Sequence, residues 1–406
     1  MRRMSGILLC VLFIVIAVVF AFGYVGSGFK YEISDNEVTI TKYKGRSREV
    51  IIPATIKGRP VTTIGINAFV ASEPMWALFD YVGMRDNRNV QIESVVIPDS
   101  VTIIGPGAFK YCKNLRNVHI PGSVTEIQGS AFNGCLNLQS IVVPASVNII
   151  GGGAFEDCTS LQSFIIPDGV AEIDEMTFFN CDNLQSISIP PSVTSIGRSA
   201  FSKCASLQSI DIPYGVTIIN SGTFDGCTSL QDVTIPNSVE KIEGNAFRYC
   251  SSMVNVVIPD SVILIGSSAF NHCLNLRNVK MSSNISFIRV SAFENTLWQK
   301  SLLDTTDEFI MTENLLFLYN GHSSTVVIPN GVTAIGYASF LNNRNITQLT
   351  IPQSVKSIDR SAFKGCTNLE SVTVLGNIEF VDKSAFEGTQ WSDTEDYRRV
   401  MSMAKS

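Results

Sequence analysis

Histidine is almost missing from this chain of 406 residues. There are three, His119, His272 and His322, far apart and in no shared register, which leaves little material for a histidine-based metal centre or a general base. Charge is also sparse, at 16% of residues, with 30 Lys and Arg against 36 Asp and Glu and a net charge of −6. Such a surface carries no phosphate-binding stripe, which argues against nucleic acid as a partner. Ten cysteines are present, yet none stands in a C-x-x-C pair, the spacing that zinc and redox sites use. No nucleophile–base pair or carboxylate pair stands outside the repeat pattern described next. The reading is therefore of a protein that is not an enzyme, with no cofactor and no metal.

Long apolar runs are scarce too. One exists, Ile7 to Phe22, extendable through Val25 and preceded by Arg2 and Arg3. A positive start followed by an apolar stretch is the pattern of an export signal or an N-terminal anchor. Residues 1–28 are assigned to that role, with an N-terminal hydrophobic helix that contacts the membrane through residues 7–25 if it is not cleaved. Ala21-Phe22-Gly23 offers a cleavage site before Tyr24, so cleaved signal and retained anchor both stay open. In either case the remainder of the chain is expected to be exported.

What the sequence has in abundance is repetition. Pro98, Pro121, Pro144, Pro167, Pro190, Pro213, Pro236 and Pro259 follow at a constant step of 23 residues. A fixed period of this size means a solenoid. The best-filled columns identify its interior: Val101 to Val262, Ile104 to Ile265, Phe109 to Phe270, and Leu115 to Leu276 with Met253 standing for Leu. No unit could bury its own set alone, so stability is expected to come from contacts between neighbours. Each unit closes with a short strand such as Leu115 to Ile120, alternating inward and outward, and proline follows where no ladder hydrogen bond is needed. The fold class expected is an α/β-type repeat solenoid, a leucine-rich repeat whose short parallel strands form one concave sheet.

Residues 29–50 read as an N-terminal capping hairpin, and repeats fill 51–293 with an insertion at 70–93. That insertion carries Trp76, Phe79 and Tyr81 and reads as a short amphipathic helix and a loop. Residues 294–326 break the pattern, because Ser282 replaces the expected proline and the next proline is Pro329. This stretch reads as a hairpin interruption. Repeats resume over 327–390, and 391–406 reads as a C-terminal cap that repeats the Phe-to-Trp spacing of five seen at Phe293 and Trp298.

The unit P-x-S/G-V-x-x-I-G-x-x-A-F-x-x-C-x-x-L-x-x-V/I-x-I resembles the BspA-like leucine-rich repeats, also called the Treponema pallidum type, over roughly residues 31–390. The F-x-N-T-x-W and LYNG elements of the interruption are similar to a hairpin found inside such arrays. The resemblance implies a curved solenoid with its parallel sheet on the concave face. It also implies surface or secreted proteins of bacteria and some protists, with members acting as adhesins toward host proteins or other cells. The family pattern contains no catalytic residue to carry over.

Two columns bear on chemistry. Cys112, Cys135, Cys158, Cys181, Cys204, Cys227, Cys250 and Cys273 share one position, with Cys366 at the same place later. Neighbouring coils stand about 4.8 Å apart, wider than the Cβ separation a disulfide prefers, so these read as buried free thiols acting as compact hydrophobes. The column Gln139, Gln162, Gln185, Gln208 and Gln231 reads as a side-chain amide ladder. Binding is expected on the outward positions of the strands. The candidates are Asn117, His119, Val142, Ile165, Ser186, Ser188, Asp211, Asp232 and Thr234. Small polar side chains suit an extended protein or glycan. Val142 and Ile165 are neighbours facing water, either a contact site or the ordinary preference of β-branched residues for strands. Two functions follow: a surface protein that holds a macromolecule on this sheet, or an envelope scaffold that uses the solenoid as a spacer.

Overall fold

The computed structural model describes residues 28–70, 91–282 and 284–403. The apolar run at 7–25 and most of the insertion, with Trp76, Phe79 and Tyr81, lie outside the described residues. Among the described residues no helix is long and apolar enough to cross a membrane.

Each coil carries two strands rather than one. In the coil that begins at Asn117, a three-residue strand runs Asn117–His119, the chain turns at Pro121, and a two-residue strand follows at Glu126–Ile127. Both kinds pair parallel with the next coil at the sequence period, as Ser163 with Ser186 and Glu172 with Ser195 show. The chain is thus a β-solenoid with a long-strand face and a short-strand face. The Ile column, read from sequence only as interior, is also the second strand position. Neither ladder is unbroken. On the long-strand face the segment Ser140–Val142 forms no ladder, and the paired strands fall into groups of two or three.

The return path of each coil is made of turns, so the α/β expectation gives way to an all-β coil. Alternate amides bond to the neighbouring coil, as Phe109 N–H to the Ala131 carbonyl (2.7 Å) and Tyr111 N–H to the Asn133 carbonyl (2.7 Å) do, and those between them bond three residues back, as Lys110 N–H to the Gly107 carbonyl (2.9 Å) does. The residue before each column cysteine is left-handed, including Tyr111 (φ 61°), Asn180 (φ 59°), Lys203 (φ 62°) and His272 (φ 60°). An α-helix cannot pass through such a residue. The helices among the described residues are a 3₁₀ turn at Trp391–Asp393, α1 (Leu297–Leu303) and α2 (Glu395–Met403).

The phenylalanine column is a stack of buried rings. Phe178 and Phe201 lie 5.5 Å apart with planes 3° from parallel, and Phe201 and Phe224 lie 5.6 Å apart. Identical side chains in equivalent coils report the displacement of the coils themselves. Strands in a sheet repeat at about 4.8 Å, so the middle coils of the first array are spread at this corner, whereas Phe340, Phe363 and Phe386 of the second column stack at 4.7 and 4.8 Å. Beneath the rings, each cysteine thiol donates to the carbonyl of the column phenylalanine one coil back, 26 residues earlier except for Cys112, whose partner is Phe69 across the insertion; examples are Cys204 Sγ to Phe178 O (3.2 Å) and Cys227 Sγ to Phe201 O (3.2 Å). All nine column cysteines are buried and unpaired.

The stack is built twice. The strands Phe29–Ser34 and Glu37–Tyr43 form a hairpin, and Tyr43 stacks on Phe69 at 5.2 Å to begin the first phenylalanine column. That column ends at Phe293, covered by Trp298 at 4.6 Å, where Thr296 caps α1 by accepting from Gln299 N–H. The strands Phe309–Thr312 and Leu315–Tyr319 form a second hairpin, and Tyr319 stacks on Phe340 at 4.7 Å. The second column ends at Phe386, covered by Trp391 at 4.7 Å. Two buried cores result.

The arrays also touch through coils far apart in sequence, on the short-strand side. Arg289 pairs with Asp359, Ser357 Oγ donates to the Ser286 carbonyl (3.2 Å), and Phe287 meets Phe380 edge-on at 5.0 Å. The second array is therefore bent back toward the short-strand face of the first.

Candidate binding face

The long-strand face gathers the candidate residues into two parallel rows. In each three-residue strand the middle side chain turns inward and the outer two face solvent. Asn117 and His119 flank half-buried Val118, and Ser163 and Ile165 flank buried Phe164. Ser186 and Ser188 flank Ile187, Ser209 and Asp211 flank Ile210, and Asp232 and Thr234 flank Val233. All nine candidates are exposed. Val142 stands in the gap of the ladder and is 81% exposed, and Ile165 in the next coil is 73% exposed.

Register brings in two residues that sequence reasoning missed. Ile51 pairs with Val96, and Val96 pairs with His119. The row therefore runs Ile51, Val96, His119, Val142, Ile165, Ser188, Asp211, Thr234, Val257 and Lys280, with most of its apolar members toward the N-terminal end and Val257 (58% exposed) standing apart beyond three polar residues. The insertion after Phe69 hid the alignment of Ile51 with Val96. The signal was present in the position two residues before Pro53 and Pro98, the same as His119 holds before Pro121. From His119 to Thr234 the row crosses five coil steps, about 24 Å at strand spacing. The acids Asp211 and Asp232 lie in adjacent coils, with Ser209 facing Asp232.

The glutamine column is corrected by the structure. Its side chains are exposed, and the ladder there is carried by the backbone: Gln162 N–H to the Gln139 carbonyl (3.0 Å) and Gln185 N–H to the Gln162 carbonyl (2.9 Å). The exposed glutamine amides can bond to water, so pairing with their copies gains little. Asparagines make the side-chain contacts instead, such as Asn278 Nδ2 to Asn255 Oδ1 (2.7 Å).

The thiols offer no nucleophile. Burial pushes Cys112 and Cys204 up to about 12 and Cys366 up to about 11, and raises Cys135, Cys158, Cys181, Cys227 and Cys250 in the same direction. A protonated, enclosed thiol neither attacks nor ligates. Among the described residues no group of three His, Cys, Asp or Glu could hold a metal ion.

The model of the BspA type leucine rich repeat region matches residues 86–208, 194–320 and 305–398. The chain belongs to the BspA-type leucine-rich repeat family. Among solved structures it is similar to a leucine rich cell surface protein from Faecalibacterium prausnitzii, with 28% identity, 90% of this chain and 97% of that chain covered, and a TM-score of 0.52. It is also similar in fold to a leucine-rich repeat protein from Bacteroides ovatus, with 24% identity, 90% and 92% covered, and a TM-score of 0.58. No curated protein matches the chain. The family matched is a repeat family, and no catalytic family is indicated.

Proposed function

We propose that this BspA-type protein is a non-enzymatic cell-surface or secreted protein whose long-strand face holds a macromolecular partner, a protein or a glycan. The observation that carries the reading is the exposed row itself. Val142 and Ile165 stand at 81% and 73% exposure on adjacent coils, in line with Ile51 and Val96. Removing such side chains from water on binding contributes about 25 cal/mol per Å². The polar rows beside them supply directional hydrogen bonds, as an interface with an apolar centre and a polar rim requires. Surface placement is supported by the likeness to the Faecalibacterium cell surface protein and by the apolar run after Arg2 and Arg3.

Protease shaving of intact cells, followed by mass spectrometry, tests the placement. Release of repeat peptides is expected. Full protection of the repeats, with none in the medium, overturns it. The face is tested by replacing His119, Ile165 and Asp211 together with alanine and measuring binding to immobilised matrix proteins and glycans. Loss of binding by a folded variant is expected. Unchanged binding moves the contact elsewhere and leaves the solenoid as a spacer.

A further inference from the structure

The bend between the arrays leaves an open cleft of about 610 Å³ at the turns that follow the short strands, on a different side of the coils from the long-strand rows. Its volume falls in the roughly 300–1,000 Å³ range of small-molecule sites. Arg198 and Glu243 line it from the first array, and Tyr337, Arg360 and Asp382 from the second. Arg289, the residue that ties the arrays together through Asp359, lines it as well. Room is left by Ser221, Gly244 and Ser267, the small residues at the turn after the short strand in three successive coils.

The chemistry of the lining narrows the ligand. Arg198 and Arg360 are exposed and, among the described residues, neither pairs with a carboxylate. Each can offer a forked donor to an anion. Asp382 takes the backbone N–H and hydroxyl of Ser384, and Glu243 accepts from no side chain among the described residues. These two carboxylates accept from hydroxyl donors and repel a densely charged phosphate ligand. Ser221 and Ser267 add hydroxyls, and Tyr337 adds a ring face with a phenol. Ser221 already donates to the Gly244 carbonyl (2.9 Å) and so is left to accept, and an apolar ligand would leave the two guanidinium groups and Glu243 without a partner. The match is a molecule with one anionic group, several hydroxyls and a compact ring.

We propose that the cleft between the two arrays binds an acidic sugar, a uronic or sialic acid residue at the end of a glycan. Its carboxylate sits on Arg198 or Arg360, its hydroxyls on Glu243, Asp382 and the two serines, and its ring against Tyr337. This site is separate from the long-strand face, so either reading can fail without the other.

The test is titration of the full chain with N-acetylneuraminic acid, glucuronic acid and glucose, read by calorimetry and saturation-transfer NMR. At least one acidic sugar is expected to bind with a dissociation constant of about 1 mM or tighter, and glucose about tenfold more weakly or worse. Arg198→Ala or Arg360→Ala, whichever guanidinium holds the carboxylate, weakens the acidic sugar by about tenfold or more, the size of a lost charged hydrogen bond. The double variant loses it. Ser267→Trp fills the cleft without changing charge and blocks binding, which keeps the test valid if an arginine variant misfolds. The alanine triple at His119, Ile165 and Asp211 binds the sugar like the parent. Absence of saturable binding by either acidic sugar overturns the proposal. So does equal binding of glucose, or binding that survives both the double arginine change and Ser267→Trp.

Discussion

The thiol ladder predicts an unusual response to alkali. Cys204 is fully buried, donates to the Phe178 carbonyl at 3.2 Å, and is pushed up to about 12 by burial. In the unfolded chain a cysteine titrates near about 8.5. Between those values the folded state keeps a proton that the unfolded state releases, so stability is full below about 8.5 and falls as pH rises toward 12. From pH 8 to pH 10 this loss amounts to about 2 kcal/mol for one such thiol. Cys204→Ala isolates it from the tyrosines and lysines that titrate in the same range. At pH 8 the variant is less stable than the parent by about 1–2 kcal/mol, through lost packing and the lost sulfur hydrogen bond. At pH 10 the parent carries the ionisation penalty and the variant does not, so the gap closes or reverses. The assay is urea unfolding followed by circular dichroism, under reductant, for both proteins at both pH values. A gap between parent and variant that is the same at pH 8 and pH 10 refutes the reasoning, because it would mean that the folded thiol ionises as readily as the unfolded one.

Other consequences follow from the same packing. Phe201→Ala removes a ring stacked on both sides and is expected to cost about 3–5 kcal/mol in urea unfolding. Gly266→Ala is expected to destabilise by about 1–3 kcal/mol, because a Cβ there would stand 2.4 Å from the Gly244 backbone nitrogen. Arg289→Ala leaves Asp359, 1% exposed, buried without its cation, and is expected to cost about 3 kcal/mol, seen as earlier thermal unfolding. A fragment of residues 304–403 is expected to fold alone and show a cooperative transition, since it holds its own hairpin, ring stack, tryptophan and core.

Periodicity made the solenoid legible, because a period of 23 with filled Val, Ile, Phe and Leu columns admits few other structures. The exposure of the candidate residues was legible for the same reason, since alternation in a strand leaves a residue like Asn117 or Asp211 only the solvent. What escaped was information that single columns do not contain. Ile103 and Glu126 form a second ladder because backbone geometry after the Pro turn brings two residues per coil into register. The α/β label did not hold for the return path because alternate amides there satisfy the neighbouring coil, a choice local propensity does not decide. The ring-to-thiol arrangement depends on a carbonyl 26 residues away, a separation longer than the repeat. Ile51 and Val96 were hidden by an insertion, not by chemistry.

The stretch around residue 300 also changes meaning once both arrays are compared. An interruption would leave a weak joint in a single long stack. Instead Trp298 closes one ring column just before Tyr319 opens another, and the same order recurs from Tyr43 to Trp298 and from Tyr319 to Trp391. A solenoid needs caps wherever its core would otherwise meet water, so capped ends in mid-chain free the second array from continuing the curve of the first. That freedom lets Arg289, Ser286 and Phe287 meet Asp359, Ser357 and Phe380 across the bend. The joint therefore creates a walled, charged cleft that neither array has alone, while the long-strand rows from Asn117 to Thr234 stay open to solvent. A single uninterrupted stack would have offered the rows and not the cleft.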